Sequence, residues 1–350
     1  METLRRVWCR WSNSHKGGAH GRLSLAFAML VSIAATPFGM SRAFAQDVLW
    51  YNEGTGEMQV WKTGWPGEIR ERATVLYPNG SVAYIGPPYV IVGVGDFGND
   101  GFDDIVWHHE WTGETQIWTM HEHQLLDRQS VLSEDGTVMF VGPPWRIVTV
   151  TDRKIIWHNE STNETQIWFM NGARVIRRAN VVGEDHRTAV VGDPFRIVGS
   201  GHILGSEIDS SRWCPPPPPC IPNWLALDPS ASCSFGAPCT MLDVLVWHNA
   251  ATGEVQLWLM QDENVVARRT ILSESGTPAL ETGEWGIAAV SWPGILWHNA
   301  ASQETQLWFL RGSQISERKT FTDEAGQAIF VGSPWRIAGY GPFARHSEPR

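Results

Sequence analysis

After residue 35 the 350-residue chain has no apolar run long enough to cross a bilayer. It has no sustained 3.6-residue hydrophobic period, which excludes a helical protein. It has no nucleophile elbow, no zinc-spaced histidines and no phosphate-binding loop, so none of the common catalytic signatures is present. Basic residues are in deficit, with 27 Lys and Arg against 37 Asp and Glu. A nucleic-acid binder needs a basic footprint, so that class is excluded. Cysteine is scarce as well: five in all, four of them confined to residues 214–239.

Residues 1–45 read as a signal peptide, removed on export. Arg5, Arg6, Arg10, Lys16 and Arg22 precede an apolar run from Leu23 to Ala35, and Ala43-Phe44-Ala45 fits a small-x-small cleavage site. An uncleaved anchor is the alternative. Residues 1–45 carry six basic side chains and one acidic. Of the 27 basic and 37 acidic in the whole chain, the remainder therefore keeps 21 and 36, a net charge of about −15. The expected product, residues 46–350, is secreted, periplasmic or on the cell surface, with no membrane span. In an oxidising compartment the even set Cys214, Cys220, Cys233 and Cys239 predicts two disulfides. Pro215 to Pro219 separate the first two cysteines. Six polyproline steps span about 19 Å, well beyond the 4.4–6.8 Å between Cα atoms that a disulfide bridges. Each cysteine of that arm is therefore expected to pair with Cys233 or Cys239.

What the chain does have is tryptophan, 20 in all, and a fivefold repeat. The segments WYNEGTGEMQVW, WHHEWTGETQIW, WHNESTNETQIW, WHNAATGEVQLW and WHNAASQETQLW begin at Trp50, Trp107, Trp157, Trp247 and Trp297. Each is followed by a strand-like segment such as RVIRRANVV, a polar turn such as EDGT, and an aromatic strand such as PPWRIVTV. Four short strands about every 50 residues predict an all-β chain, a five-bladed β-propeller of four-stranded blades. The chain starts and ends inside a repeat, so the C-terminal strand from Trp335 is expected to complete the first blade and close the ring. Residues 46–350 then form one propeller domain, with a cysteine- and proline-rich insertion at about 201–243.

The stretch VGVGDFGNDGFDDIVWHHEWTGETQIW, Val92 to Trp118, resembles FG-GAP or VCBS-type repeat propellers. The resemblance implies strands in the order A, B, C, D from the axis outward, and a calcium loop between A and B. It implies one Ca²⁺ bound by the side chains of Asp96, Asp100 and Asp104 and the carbonyl of Phe102, oxygen donors of the kind Ca²⁺ takes. Gly98 stands where the family has Asn or Asp, so one side-chain ligand is missing.

Strand direction alternates, so the A–B and C–D loops share one face and the B–C and D–A connections share the other. Length varies mainly in the A–B loops, where binding usually sits on a repeated scaffold. Trp65, Trp213, Trp224 and Trp292 fall outside the repeat pattern and map to that face. They are candidate ligand contacts, since exposed Trp suits sugar faces and protein hot spots. His108, His158, His248 and His298 follow the first Trp of their repeats. They read either as hydrogen-bonded imidazoles between strands or as a ring of sugar-binding sites. Glu57, Glu114, Glu164, Glu254 and Glu304 recur in register with Arg72, Arg128, Arg178, Arg268 and Arg318, and an ion pair between them is expected. The leading functional reading is an exported, lectin-like binding module with a glycan ligand. A protein–protein or adhesion scaffold is the second, and a polysaccharide-acting enzyme the third.

Overall fold

The computed structural model describes residues 46–64, 67–204, 241–281, 283–291 and 294–343. Among them there is no helix, and all five sheets are four-stranded. Blade 1 holds β1 (Asp47–Asn52), β2 (Met58–Gly64) and β3 (Glu68–Thr74). Blade 2 is β4 (Tyr89–Gly95), β5 (Asp104–His109), β6 (Thr115–His121) and β7 (Gln124–Ser130). Blade 3 is β8 (Trp145–Thr151), β9 (Lys154–Asn159), β10 (Thr165–Asn171) and β11 (Arg174–Asn180). Blade 4 is β12 (Phe195–Leu204), β13 (Met241–Asn249), β14 (Val255–Gln261) and β15 (Asn264–Thr270). Blade 5 is β16 (Trp285–Ser291), β17 (Gly294–Asn299), β18 (Thr305–Arg311) and β19 (Gln314–Thr320). The last strand, β20 (Trp335–Gly341), returns to pair with β1, so blade 1 reads β20-β1-β2-β3. The molecule is a five-bladed β-propeller. The strands A expected from the sequence, β4, β8, β12, β16 and β20, contact one another around the axis. Strands β12 and β13 pair as far as Leu204 and Met241, so they take up both margins of the insertion expected at 201–243.

The repeated hairpin has a local cause. The Asn that ends strand B caps the following turn: Asn52, Asn159, Asn249 and Asn299 each accept two backbone N–H groups through Oδ1. In blade 2, His109 Nδ1 accepts one, from Thr112. Four residues after each of these caps the backbone turns left-handed, at Gly56, Gly113, Asn163, Gly253 and Gln303. Glycine suits that conformation because it lacks the Cβ that crowds the carbonyl.

Packing between blades is done by the first Trp of each repeat. Trp50, Trp107, Trp157, Trp247 and Trp297 are at most 2% exposed. Each lies against the second Trp of its own hairpin, with centroids 4.4–5.0 Å apart. A second seam runs around the rim. After each outer strand one residue bridges in parallel to the outer strand of the next blade: Leu76 to Gln124, Leu132 to Arg174, Val182 to Asn264, Leu272 to Gln314 and Thr322 to Glu68. The last of these joins blade 5 to blade 1. Its hydrogen bonds run from Thr322 N–H to the Gly67 carbonyl (3.2 Å) and from Ile69 N–H to the Thr322 carbonyl (2.8 Å).

Candidate functional site

The residues present in every repeat form a structural relay. In blades 1, 2, 4 and 5 the repeat Glu accepts from the Gln two residues on, at 2.8–3.0 Å. It also accepts from Thr74, Ser130, Thr270 or Thr320 at the end of the outer strand. In blade 3, Glu164 accepts from Thr162 Oγ1, and Gln166 turns to Asn180. In all five blades the Gln oxygen accepts the indole N–H of the second Trp, at 2.7–3.4 Å. The repeat Arg lies over that same indole, 3.9–4.9 Å from ring centroid to Cζ. The expected Glu–Arg pair is therefore not formed. Register sets Arg178 directly opposite Trp168 and Arg318 opposite Trp308, so each guanidinium stacks on an aromatic face. Arg178 and Arg318 reach Glu134 and Glu274 instead, in the polar turn of the preceding blade.

The four histidines are hydrogen-bonded between strands. His108, His158 and His298 share Nδ1 with Thr115, Thr165 and Thr305 at 3.0–3.1 Å. In blade 4 Val255 replaces that threonine, and His248 Nε2 faces the Glu281 carbonyl at 3.2 Å. His108, His248 and His298 pack edge-on against the first Trp of the next blade. Burial pushes His108, His158 and His298 below the usual imidazole range, so they are neutral at pH 7.

On the A–B/C–D face, the loop from Asp96 to Asp104 is capped by its own carboxylates. Asp104 accepts the N–H groups of Phe97, Gly98 and Met120. Asp96 accepts those of Asp100 and Gly101. Phe97 and Phe102 are buried, and Phe102 packs on His121 at 4.5 Å. Burial pushes Asp104 up to about 6, against the pull of its three N–H donors. Asp103 is also raised well above the usual carboxylate value, first by burial and then by Asp152, Asp104, Asp96 and Asp47. A Ca²⁺ site needs six to eight converging oxygens. Among the described residues no three His, Cys, Asp or Glu side chains group as metal ligands, and here the loop's carboxylates cap its own backbone. Next to it, Asp243 binds Lys154 Nζ (2.5 Å) and His202 Nε2 (3.0 Å), tying blade 3 to the base of the insertion. Trp65, Trp213, Trp224, Trp292 and the four cysteines, Cys214, Cys220, Cys233 and Cys239, lie outside the described residues.

The B–C/D–A face carries a formed groove. A cavity of about 850 Å³ opens between blades 3 and 4, lined among others by Arg146, His158, Asn163, Phe195 and Arg196. The D–A connection frames it, because each connection folds back onto the preceding B–C turn. Val190 bridges Glu164 there, and Val191 N–H donates to the Asn163 carbonyl at 3.1 Å. Arg146 Nε is held by Glu160 at 2.7 Å, whereas Arg196 Nε lies 3.9 Å from Asp193, beyond hydrogen-bond reach. Of the residues singled out in the sequence, His158 lines this groove. Arg146, Asn163, Phe195 and Arg196 were not singled out, because they come from two repeats and the connection between them. The same face shows five repeat-equivalent apolar side chains to solvent: Tyr84, Phe140, Val190, Leu280 and Phe330, each 53–62% exposed. Trp111, in the blade 2 turn, is 82% exposed.

No family model matches the chain. No curated protein matches it either. Solved structures resemble it weakly. The nidogen/laminin complex aligns at 12% identity and TM-score 0.34, over 85% of this chain and 99% of that one. The dihydro-heme d1 dehydrogenase NirN aligns at 9% and 0.30, over 79% of this chain and 46% of that one. The Dos1 propeller aligns at 9% and 0.29, over 80% and 62%. Among the described residues no helix is long and apolar enough to cross a membrane.

Proposed function

We propose that this propeller is an exported binding module of the FG-GAP/VCBS repeat type, with a carbohydrate ligand seated between blades 3 and 4. The observation that carries this reading is the 850 Å³ groove. It combines an aromatic side chain, Phe195, with an amide, a neutral imidazole and two guanidinium groups. A sugar offers an apolar ring face and a rim of hydroxyls, which matches an aromatic beside convergent polar groups. A glycan array probed with the purified chain tests the reading. Phe195→Ala should abolish binding, with a circular dichroism spectrum to show that the ring still folds, since Phe195 also packs on the core between blades 3 and 4. Asn163→Gly, which keeps the left-handed turn, should abolish binding and leave the melting temperature within about 1–2 °C. On sequence alone, Trp65, Trp213, Trp224 and Trp292 are assigned to the opposite face, the competing location. Binding lost in Trp224→Ala and Trp292→Ala but kept in Phe195→Ala moves the site there.

Ca²⁺ at the Asp96–Asp104 loop belongs to the same proposal, through the remaining lone pairs of the carboxylates. Adding millimolar CaCl₂ should raise the melting temperature, and Asp100→Ala should abolish the rise. No rise in the unaltered chain removes the metal.

The exposed ring of Tyr84, Phe140, Val190, Leu280 and Phe330 favours a second reading, a scaffold that docks another protein on this face. A chain that binds no glycan but associates through this face, and loses that association in Phe140→Ser, would select it.

A further inference from the structure

We propose that the groove between blades 3 and 4 selects acidic saccharides, with Arg196 contacting the sugar carboxylate. The proposal rests on the carbohydrate reading above and adds the charge of the ligand. The five repeats supply their own controls. The residue opening each B–C turn donates its N–H to the residue just before the inner strand: Glu53 to Pro334, Glu110 to Pro88, Glu160 to Pro144, Ala250 to Pro194 and Ala300 to Glu284, at 2.8–3.0 Å. These five positions are thus structurally equivalent. So are the second residues of the inner strands, which face strand B in the same register: Arg336, Val90, Arg146, Arg196 and Gly286.

Where a blade has both the acid and the arginine, they pair: Arg336 with Glu53 at 2.9 Å and Arg146 with Glu160 at 2.7 Å. Blade 2 has the acid and no arginine, and blade 5 has neither. Blade 4 has the arginine, Arg196, and Ala250 in place of the acid. Arg196 lines the groove with its side chain 65% exposed, and its nearest carboxylate, Asp193, is 88% exposed at 3.9 Å. An exposed pair at that distance contributes little. The guanidinium fork matches a carboxylate in two parallel hydrogen bonds. A uronic acid offers that carboxylate on a ring that Phe195 and Asn163 can contact.

The test is calorimetry on the full chain with trigalacturonate and with its methyl ester, which keeps the shape and removes the charge. The acid should bind at least about tenfold more tightly, as a charge-assisted hydrogen bond provides. Ala250→Glu should restore the missing acid, occupy Arg196 and reduce the acid's affinity to that of the ester. Ala250 is exposed and Glu occupies its equivalent in blades 1, 2 and 3, so this variant should keep its melting temperature. Arg196→Ala should erase the preference in the same way. Equal binding of acid and ester by the unaltered chain, or a preference that survives Ala250→Glu, overturns the proposal and leaves the carbohydrate reading standing. Binding of neither form overturns the proposal, while the glycan array decides the carbohydrate reading separately.

Discussion

Gln303 holds a left-handed backbone, φ 63°, at a turn position that blades 1, 2 and 4 fill with glycine. A residue with a Cβ is strained there by about 1–2 kcal/mol. Gln303→Gly should therefore raise the free energy of unfolding by about 1 kcal/mol, part of the relief being lost to the greater freedom of the unfolded glycine. Urea unfolding checks it, and a lower midpoint would show that the Gln303 side chain makes a compensating contact. Asp103 is a second residue whose cost can be measured. Burial and four neighbouring aspartates raise its pKa above the ordinary 3.8, so the folded chain holds this proton more tightly than the unfolded one. Its contribution is complete below pH 3.8 and is lost as pH rises; Asp104 adds a loss in the window from 3.8 to about 6. The lowered histidines act in the opposite sense, losing stability as pH falls below 6.5, but they cancel when a variant is compared with its parent at one pH. Asp103→Asn should accordingly raise the melting temperature at pH 8 and do so less at pH 5. An equal gain at both values would place the cost elsewhere. At this scale the sequence was hardest to read. Recurring Glu and Arg suggest an ion pair by charge alone, yet strand alternation puts Trp168 opposite Arg178 and leaves Glu164 at the turn.

Single elements were far more legible. The Trp-to-Trp hairpins, the polar turns and the aromatic inner strands all follow from period-two patterning and turn residues. Closure by β20 followed from a repeat begun at strand B and finished at strand A, and β1 does pair with β20 from Asp47–Gly341 to Asn52–Trp335. Deleting residues after Ser333 should leave β1 as an open edge and sharply lower the melting temperature; an unchanged value would reject this closure. Trp107, fully buried, should cost about 3–5 kcal/mol as Trp107→Ala. The inner strands also approach one another closely. A Cβ at Gly339 would come within 2.5 Å of Val94 Cγ1, so Gly339→Val should unfold blade 1 from blade 2 before it affects blade 4. Hydrogen exchange resolved by peptide reads that order. This spacing was not legible, because small residues in strands say nothing about which neighbour they meet.

At the scale of the whole molecule, five blades could be counted from the repeat, but the groove could not be found. Its lining comes from the inner strands of two repeats and from a D–A connection that folds back over the turn before it, and the exposure of Arg196 goes with Ala250 in place of a glutamate. A reading that aligns the copies averages out such positions. The rim bridges were also hidden, since each joins a single residue to the outer strand of the next blade, 42 to 82 positions further along and, from Thr322 back to Glu68, across the closure of the ring. Their consequence concerns where the chain is cut. Blades 5 and 1 are joined at the rim as every other pair is, and Asp47 faces Gly341 across a strand pair near the axis. This junction is thus closed without a covalent link, by hydrogen bonds on both sides and by the apolar packing of blade 5 on blade 1. A circular permutant that tethers Phe343 to Gln46 and opens the backbone in the polar turn at residues 134–136 should fold to the same ring, because covalent order around the circle is interchangeable with hydrogen-bonded order.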